Sequence, residues 1–260
     1  MHYLCSMLEL REEQAFITGA PLDMSFAFAL EEKLRRMKRN GLFYEERVPQ
    51  PSPYIHPTEP MMRQILRGDL FLSYPYESIA PFIRLLEEAA CAPEVASIKI
   101  TLYRVAKNSQ IINALIKAAE NGKDVLAVVE LRARFDEENN IGWSKRLEDA
   151  GCTVIYGLDG YKVHSKLLLI TIKNRNHISY ITQVGTGNYN EKTSRLYTDF
   201  SLMTANKQIG LDASVVFNGL SLGSTVEAAN VLMVAKCLRT NIVEYIDEIA
   251  FAEQGRRPGC

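Results

Sequence analysis

The sequence has little of what marks secreted, zinc-binding or membrane-embedded proteins. Its five cysteines (Cys5, Cys91, Cys152, Cys237 and Cys260) are odd in number, scattered, and include no Cys-x-x-Cys pair. That argues against a disulfide framework and a thiolate zinc site, and fits thiols kept reduced in the cytoplasm. No apolar run approaches the ~20 residues that span a bilayer, and Met1 to Glu13 lacks a signal-peptide pattern. A charge of one sign is missing too: 30 Lys and Arg against 31 Asp and Glu leave a net charge of −1. Bulk attraction to a polyanion is thereby excluded, so any phosphate site must be a local cluster. Histidine is scarce, with only His2, His56, His164 and His177, and no internal repeat or low-complexity tract is visible.

What is present suffices for a sizeable core: 47% of 260 residues are apolar. Five of the ten prolines fall between Pro49 and Pro60, which reads as a linker or an extended arm, because proline lacks the donor that helices and central strands need. The basic run Lys33 to Arg39 reads as a solvated helix face or loop and not as a nucleic-acid or membrane patch.

From Ser97 onward strands and helices alternate. Strands are expected over Ser97–Tyr103, Val125–Leu131 and Thr153–Leu158. Helices are expected over Ser109–Asn121, closed by Gly122, and over Ile141–Ala150, closed by Gly151. Short helical crossovers imply parallel neighbours and right-handed connections. Arg104 and Arg134 each follow a strand, so both emerge at the carboxyl edge of the sheet, where open α/β folds bind ligands. The next strand starts at that edge and runs back, and a turn around Lys173 to His177 returns Gly185–Asn188 to it.

The chemistry gathers at this edge. In Val163-His164-Ser165-Lys166 an imidazole and an ammonium two positions apart share one face if the segment is a strand. A neutral basic nitrogen beside a cation suits attack on phosphorus. Gly185-Thr186-Gly187-Asn188 follows, a turn whose amides are expected to approach an anion closely, with Asn188 adding a neutral donor. The guanidinium forks of Arg104 and Arg134 suit phosphate oxygens. Glu130 and Asp199 are the candidate carboxylates to orient His164. The acidic run Asp136, Glu137 and Glu138 reads as a solvated loop or helix start.

The order His-x-Lys, apolar strand, Gly-Thr/Ser-x-Asn resembles the phospholipase D superfamily, except that the Asp expected seven residues after the histidine is Thr171. The blocks Ile100–Val105, Val129–Ile141 and Gly185–Asp199 are similar to the first catalytic domain of polyphosphate kinases that use a phosphohistidine intermediate. The resemblance implies an α/β fold, phospholipase D-like: a mixed sheet with parallel βαβ units and an antiparallel hairpin, helices on both faces. It implies that His164 takes the γ-phosphoryl group of ATP and passes it reversibly to inorganic polyphosphate. Lys166 and Asn188 would assist, and Arg104, Arg134, Gly185, Thr186, Gly187 and Tyr197 would hold Mg-ATP phosphates and nucleotide. Mg²⁺ is expected with ATP, as a Mg-phosphate complex near Arg104 and Arg134 with no direct protein ligand assigned. The expected partners are ATP or ADP and polyphosphate, not nucleic acid, and the full-length enzyme is expected to be a homo-oligomer, cytoplasmic or peripheral to the membrane.

The implied domains are a helical remnant over 1–45, a Pro-rich linker over 46–68, the first catalytic domain over 69–225 and the start of a second over 226–260. On that reading the chain is a fragment, with little activity alone. The alternatives are a phospholipase D-like phosphodiesterase and a non-catalytic polyphosphate-binding module.

Overall fold

A computed structural model of the protein describes residues 2–19, 21–45, 47–106, 108–130, 137–158, 160, 162–175 and 177–224, with backbone alone for 137–140. Arg134, the acidic side chains at 136–138, and the expected second-domain start at 226–260 lie outside the described residues. The chain divides into two compact units, 1–46 and 47–260.

In the first unit, helix α1 covers His2–Met7 and α2 covers Phe26–Arg36. Cys5 is its one buried side chain among the described residues. The basic run lies largely on α2, where Arg35 and Arg36 pair with Glu31 and Glu32 four residues earlier. Such exposed pairs contribute about 0.2–0.5 kcal/mol each.

The second unit is built on one seven-stranded sheet. Its elements run α3 (Met61–Arg67), β1 (Leu70–Tyr74), α4 (Ala80–Cys91), β2 (Val95–Leu102), α5 (Gln110–Glu120), β3 (Asp124–Val129), α6 (Glu137–Asp149), β4 (Thr153–Tyr156), β5 (Leu167–Asn174), β6 (His177–Gly185), β7 (Asp199–Thr204) and α7 (Lys207–Ser221). The strand order is β1-β7-β6-β5-β2-β3-β4. Strands β2, β3 and β4 are parallel, with Ser97 opposite Asp124 and Leu126 opposite Thr153. Strand β5 runs against β2, with Ile100 opposite Leu168, and the β5–β6 hairpin sets Leu167 opposite Val184. The mixed sheet with parallel βαβ units and an antiparallel hairpin is therefore as expected. Helix α6 begins four residues before the expected Ile141, and β4 ends at Tyr156, two residues before Leu158.

Period-two burial on these strands feeds two cores. Ile98, Ile100 and Leu102 of β2 point to one, with α3, α4, α5 and α6; Leu167 and Leu169 of β5 point to the other, with Ala213, Phe217 and Leu220 of α7. Each fully buried aliphatic side chain contributes about 1.5–3 kcal/mol, so pattern, not propensity, fixes these faces. Helix α5 shows the local logic. Ser109 caps its start by accepting from the Ile111 N–H at 3.1 Å. Gly122 ends it at φ +77°, where a side chain would be strained, while the Lys123 N–H reaches back to Ala118 O. Ile111, Ile112, Leu115 and Ala118 are buried between those ends.

The stretch expected as a linker over 46–68 is, from Arg47 on, part of the second unit: an extended arm leads into α3, whose Met61, Met62 and Ile65 are buried in the core. Gln50 exchanges backbone bonds with Tyr76 and Ser78, at 2.7 and 3.0 Å. Arg84 of α4 donates to the carbonyls of His56, Pro57 and Glu59. Glu88 of α4 accepts from the Met61 and Met62 N–H groups at the start of α3.

Candidate active site

The parallel strand β2 delivers Tyr103 and Arg104 just past its end at Leu102. Strand β5 begins beside that end, and the residues that lead into it carry the His-x-Lys pair. The expected strand geometry for this pair is corrected by the structure: residues 162–166 lie outside any strand, and β5 starts at Leu167. Side chains from β2 and the end of β3 replace the ladder. The Thr101 hydroxyl donates to Ser165 O at 2.8 Å and accepts from the Leu167 N–H at 3.1 Å. Buried Glu130 accepts from the Val163 N–H at 3.0 Å.

Convergence is achieved all the same, around Tyr103. The exposed His164 ring packs edge-on against the Tyr103 ring, with centroids 4.7 Å apart and planes at 82°. Lys166 Nζ lies 5.2 Å and Arg104 Cζ 5.7 Å from the centroid of the same ring. Lys166 is buried and donates to the His164 carbonyl, so an ammonium is held behind the imidazole. Burial, then the charges of Lys166, Arg104 and Lys162, holds the His164 imidazole below its ordinary value. It is therefore neutral at pH 7 and offers a nitrogen lone pair. Burial likewise pulls the Lys166 ammonium down to about 8, against the Asp199 carboxylate, which raises it.

The Gly-Thr-Gly segment works differently from the expected anion cradle. The Gly185 N–H donates to Lys166 O and the Thr186 N–H to Phe200 O, both at 3.0 Å, so these two amides are engaged within the sheet. The Thr186 hydroxyl donates to Asp199 Oδ1 at 2.7 Å and accepts from the Phe200 N–H at 2.9 Å. The glycines instead permit close packing. A Cβ on Gly187 would fall 2.5 Å from Asp199 Oδ2, and one on Gly185 would fall 2.9 Å from Gln183 Nε2. Asn188 follows, its Oδ1 buried with no hydrogen-bond partner. Beyond it, buried Tyr189 stacks on Phe82 at 5.0 Å and donates to Gln183 Oε1, which anchors the loop to the sheet.

Of the residues singled out in the sequence, His164, Lys166 and Arg104 are thus brought together, and Gly185 joins them through Lys166. Tyr197 is 62% exposed, in the turn after the 3-10 helix at Thr193–Arg195. Arg134 lies outside the described residues. Asp199 reaches the site through Thr186 and Lys166, and Glu130 through the backbone of the His164 loop. Sequence reasoning gave no part to Tyr103, the ring on which the three cationic or basic groups meet, or to Thr101; their placement at the end of a strand leading to Arg104 was the available clue. Among the described residues no three His, Cys, Asp or Glu side chains are gathered as a metal cage.

Residues 60–226 match the family described as polyphosphate kinase C-terminal domain 1. The chain belongs to the polyphosphate kinase family. The polyphosphate kinase of Staphylococcus epidermidis is 43% identical over 249 residues, which cover 95% of this chain and 34% of that protein. That of Bacillus cereus is 42% identical over 246 residues, covering 94% and 35%. Among solved structures, the polyphosphate kinase of Porphyromonas gingivalis aligns with a TM-score of 0.72 at 38% identity, over 84% of this chain and 36% of that one. The chain spans about a third of the length of the curated relatives it matches. No helix among the described residues is long and apolar enough to cross a membrane.

Proposed function

We propose that this region carries the nucleophile of a polyphosphate kinase, with His164 as the phosphoryl carrier. The observation that carries the reading is the meeting of a neutral imidazole with two cations on the Tyr103 ring. The His164 nitrogen attacks the γ-phosphorus of ATP; an N–P bond forms, the bond to the β-phosphate oxygen breaks, and ADP leaves. In the second half-reaction a terminal oxygen of polyphosphate attacks the same phosphorus, the N–P bond breaks, and the imidazole is restored.

Such transfer is governed by positioning and by neutralising the equatorial oxygens. Arg104 and Lys166 supply that charge from this chain, Arg104 through its fork. Both are cations and suit phosphate oxygens, not a metal. Mg²⁺, carried by the ATP phosphates with no direct protein ligand assigned, would add to that charge neutralisation. Thr101 and Glu130 hold the His164 loop, and Asp199 keeps Lys166 protonated. Exposed Tyr197 is assigned to the nucleotide. The first catalytic domain is assigned to 69–225 together with α3 (Met61–Arg67), whose Met61, Met62 and Ile65 lie in the same core, and 226–260 is assigned to the start of the second.

Incubation with γ-labelled ATP and Mg²⁺ tests the reading. Acid-labile label that disappears in His164→Gln is the expected result, in the chain itself or in a full-length polyphosphate kinase carrying this region. Label retained by His164→Gln in the full-length protein would overturn it. Binding without labelling in both would favour a non-catalytic phosphate-binding module. The phosphodiesterase alternative gains no support: Thr171 stands in mid-strand, opposite Ser97 and Tyr180.

A further inference from the structure

We infer that Glu191 is a positioning residue whose carboxylate fastens the loop carrying Arg104 to the loop carrying Asn188, so that both sides of the phosphate site are placed as one body. The consequence for phosphate rests on the phosphoryl-transfer reading above; the fastening itself does not.

Glu191 Oε1 accepts from the Ser109 hydroxyl at 2.7 Å and from the Gln110 N–H at 2.8 Å, across 82 and 81 residues of chain. Ser109 is the cap of α5 and Gln110 its first residue. An N–H at a helix start has no partner within the helix, and the partial positive charge there favours a carboxylate. Since α5 is fixed by its buried face, its start is a rigid post. Arg104 stands five residues before that post, and Asn188 three residues before Glu191. The second loop transmits the restraint because it is locally ordered. Asn190 Oδ1 accepts from the Lys192 and Thr193 N–H groups, and the Ser194 hydroxyl donates to Glu191 O. Glu191 Oε2, by contrast, is buried with no hydrogen-bond partner. Leaving a buried acceptor unsatisfied is unfavourable, so the side chain is held by what Oε1 does.

An ordinary helix cap would affect stability alone, so the test needs a readout at a distance. The 260-residue chain and its variants are compared by amide hydrogen exchange, and by calorimetric titration with tripolyphosphate well below the unfolding temperature. In Glu191→Ala, exchange at Tyr103–Ala106 and at Asn188–Asn190 rises together, and tripolyphosphate affinity falls about tenfold, equivalent to about 1.4 kcal/mol. Glu191→Gln keeps the acceptor oxygen and restores most of both. Should Glu191→Ala fail to fold, Gln110→Pro severs one of the two bonds at a position where helices accept proline, and gives the same pattern at smaller amplitude. Unchanged exchange at Tyr103–Ala106 in a folded Glu191→Ala or Gln110→Pro variant overturns the inference. A parent chain that does not bind tripolyphosphate sinks the phosphate reading instead, while the exchange result still decides the fastening.

Discussion

Two loops build the candidate site, and they are held in opposite ways. The His164 loop displays its chemistry and borrows its support: Thr101 and Glu130, from β2 and the end of β3, take up its backbone groups. The Gly185–Asn188 loop is held through its own groups, which reach out to the strands beside it: its amides complete the sheet, its glycines admit Asp199 and Gln183, and its threonine grips Asp199. In the first loop the recognisable residues are the reactive ones. In the second the recognisable residues are mainly those that make room, and what reaches the site is Asp199's charge on Lys166. A motif therefore identifies a site without saying which of its members perform chemistry.

Removing the borrowed support is expected to have the largest effect. Glu130→Ala leaves the buried Val163 N–H without its acceptor, and a destabilisation of about 3 kcal/mol follows from a lost hydrogen bond plus an unsatisfied donor. Thermal unfolding should drop by roughly 6–12 °C for a chain of this size. A shift under about 2 °C would mean the loop holds itself. Gly187→Ala comes next: Asp199 Oδ2, Cγ and Cβ all lie within 2.8 Å of the added carbon, so the whole side chain must move. Overpacking of this kind costs about 1–3 kcal/mol. Thr101→Val removes the hydroxyl at nearly constant volume but leaves the buried Leu167 N–H without its acceptor and Ser165 O without its donor, so it should cost about 1–3 kcal/mol, with tripolyphosphate affinity reduced. If Gly187→Ala proved harmless while Thr101→Val did not, the contrast between the loops would collapse.

The smallest effect sharpens the comparison through pH. Lys166 carries its proton below about 8 and loses it as pH rises through that value, so tripolyphosphate affinity should fall on the alkaline side. A bound anion favours the protonated form and shifts the midpoint upward. His164 is held below its ordinary value, so in the free protein it is largely neutral across that range, and the alkaline slope is assigned to Lys166. Lys166→Met should flatten the profile between pH 7 and 9, whereas Gly187→Ala, by displacing Asp199, should move the midpoint down. Titration calorimetry across that range reads both.

Much of this was legible in the sequence where the information is local. Alternating apolar residues and capped helices gave β2, α5, β3 and β4, and chain direction brought Arg104 to the same edge as His164. What was not legible depends on partners distant in sequence. Strand geometry was expected for His164 and Lys166 because spacing is visible, while the replacement of ladder bonds by Thr101 and Glu130 is not. The amides of Gly185 and Thr186 were assigned to an anion because nothing local reveals that Lys166 O and Phe200 O accept them. The fastening of Glu191 to Ser109 spans 82 residues and leaves no periodic trace.

Strand β1 offers a last consequence, one of timing. It is the first made of the sheet's seven strands, yet its sheet partner is β7, with Leu70 opposite Met203 about 130 residues later. At roughly 5–20 residues per second a ribosome would leave β1 unpaired for roughly 7–26 s. During that interval Leu70, Leu72 and Tyr74, all buried in the finished sheet, have no β7 to pair with. Of the elements that share its core, α3 and α4, which Glu88 ties together in the finished fold, are the ones made early enough to cover that strand before β7 exists.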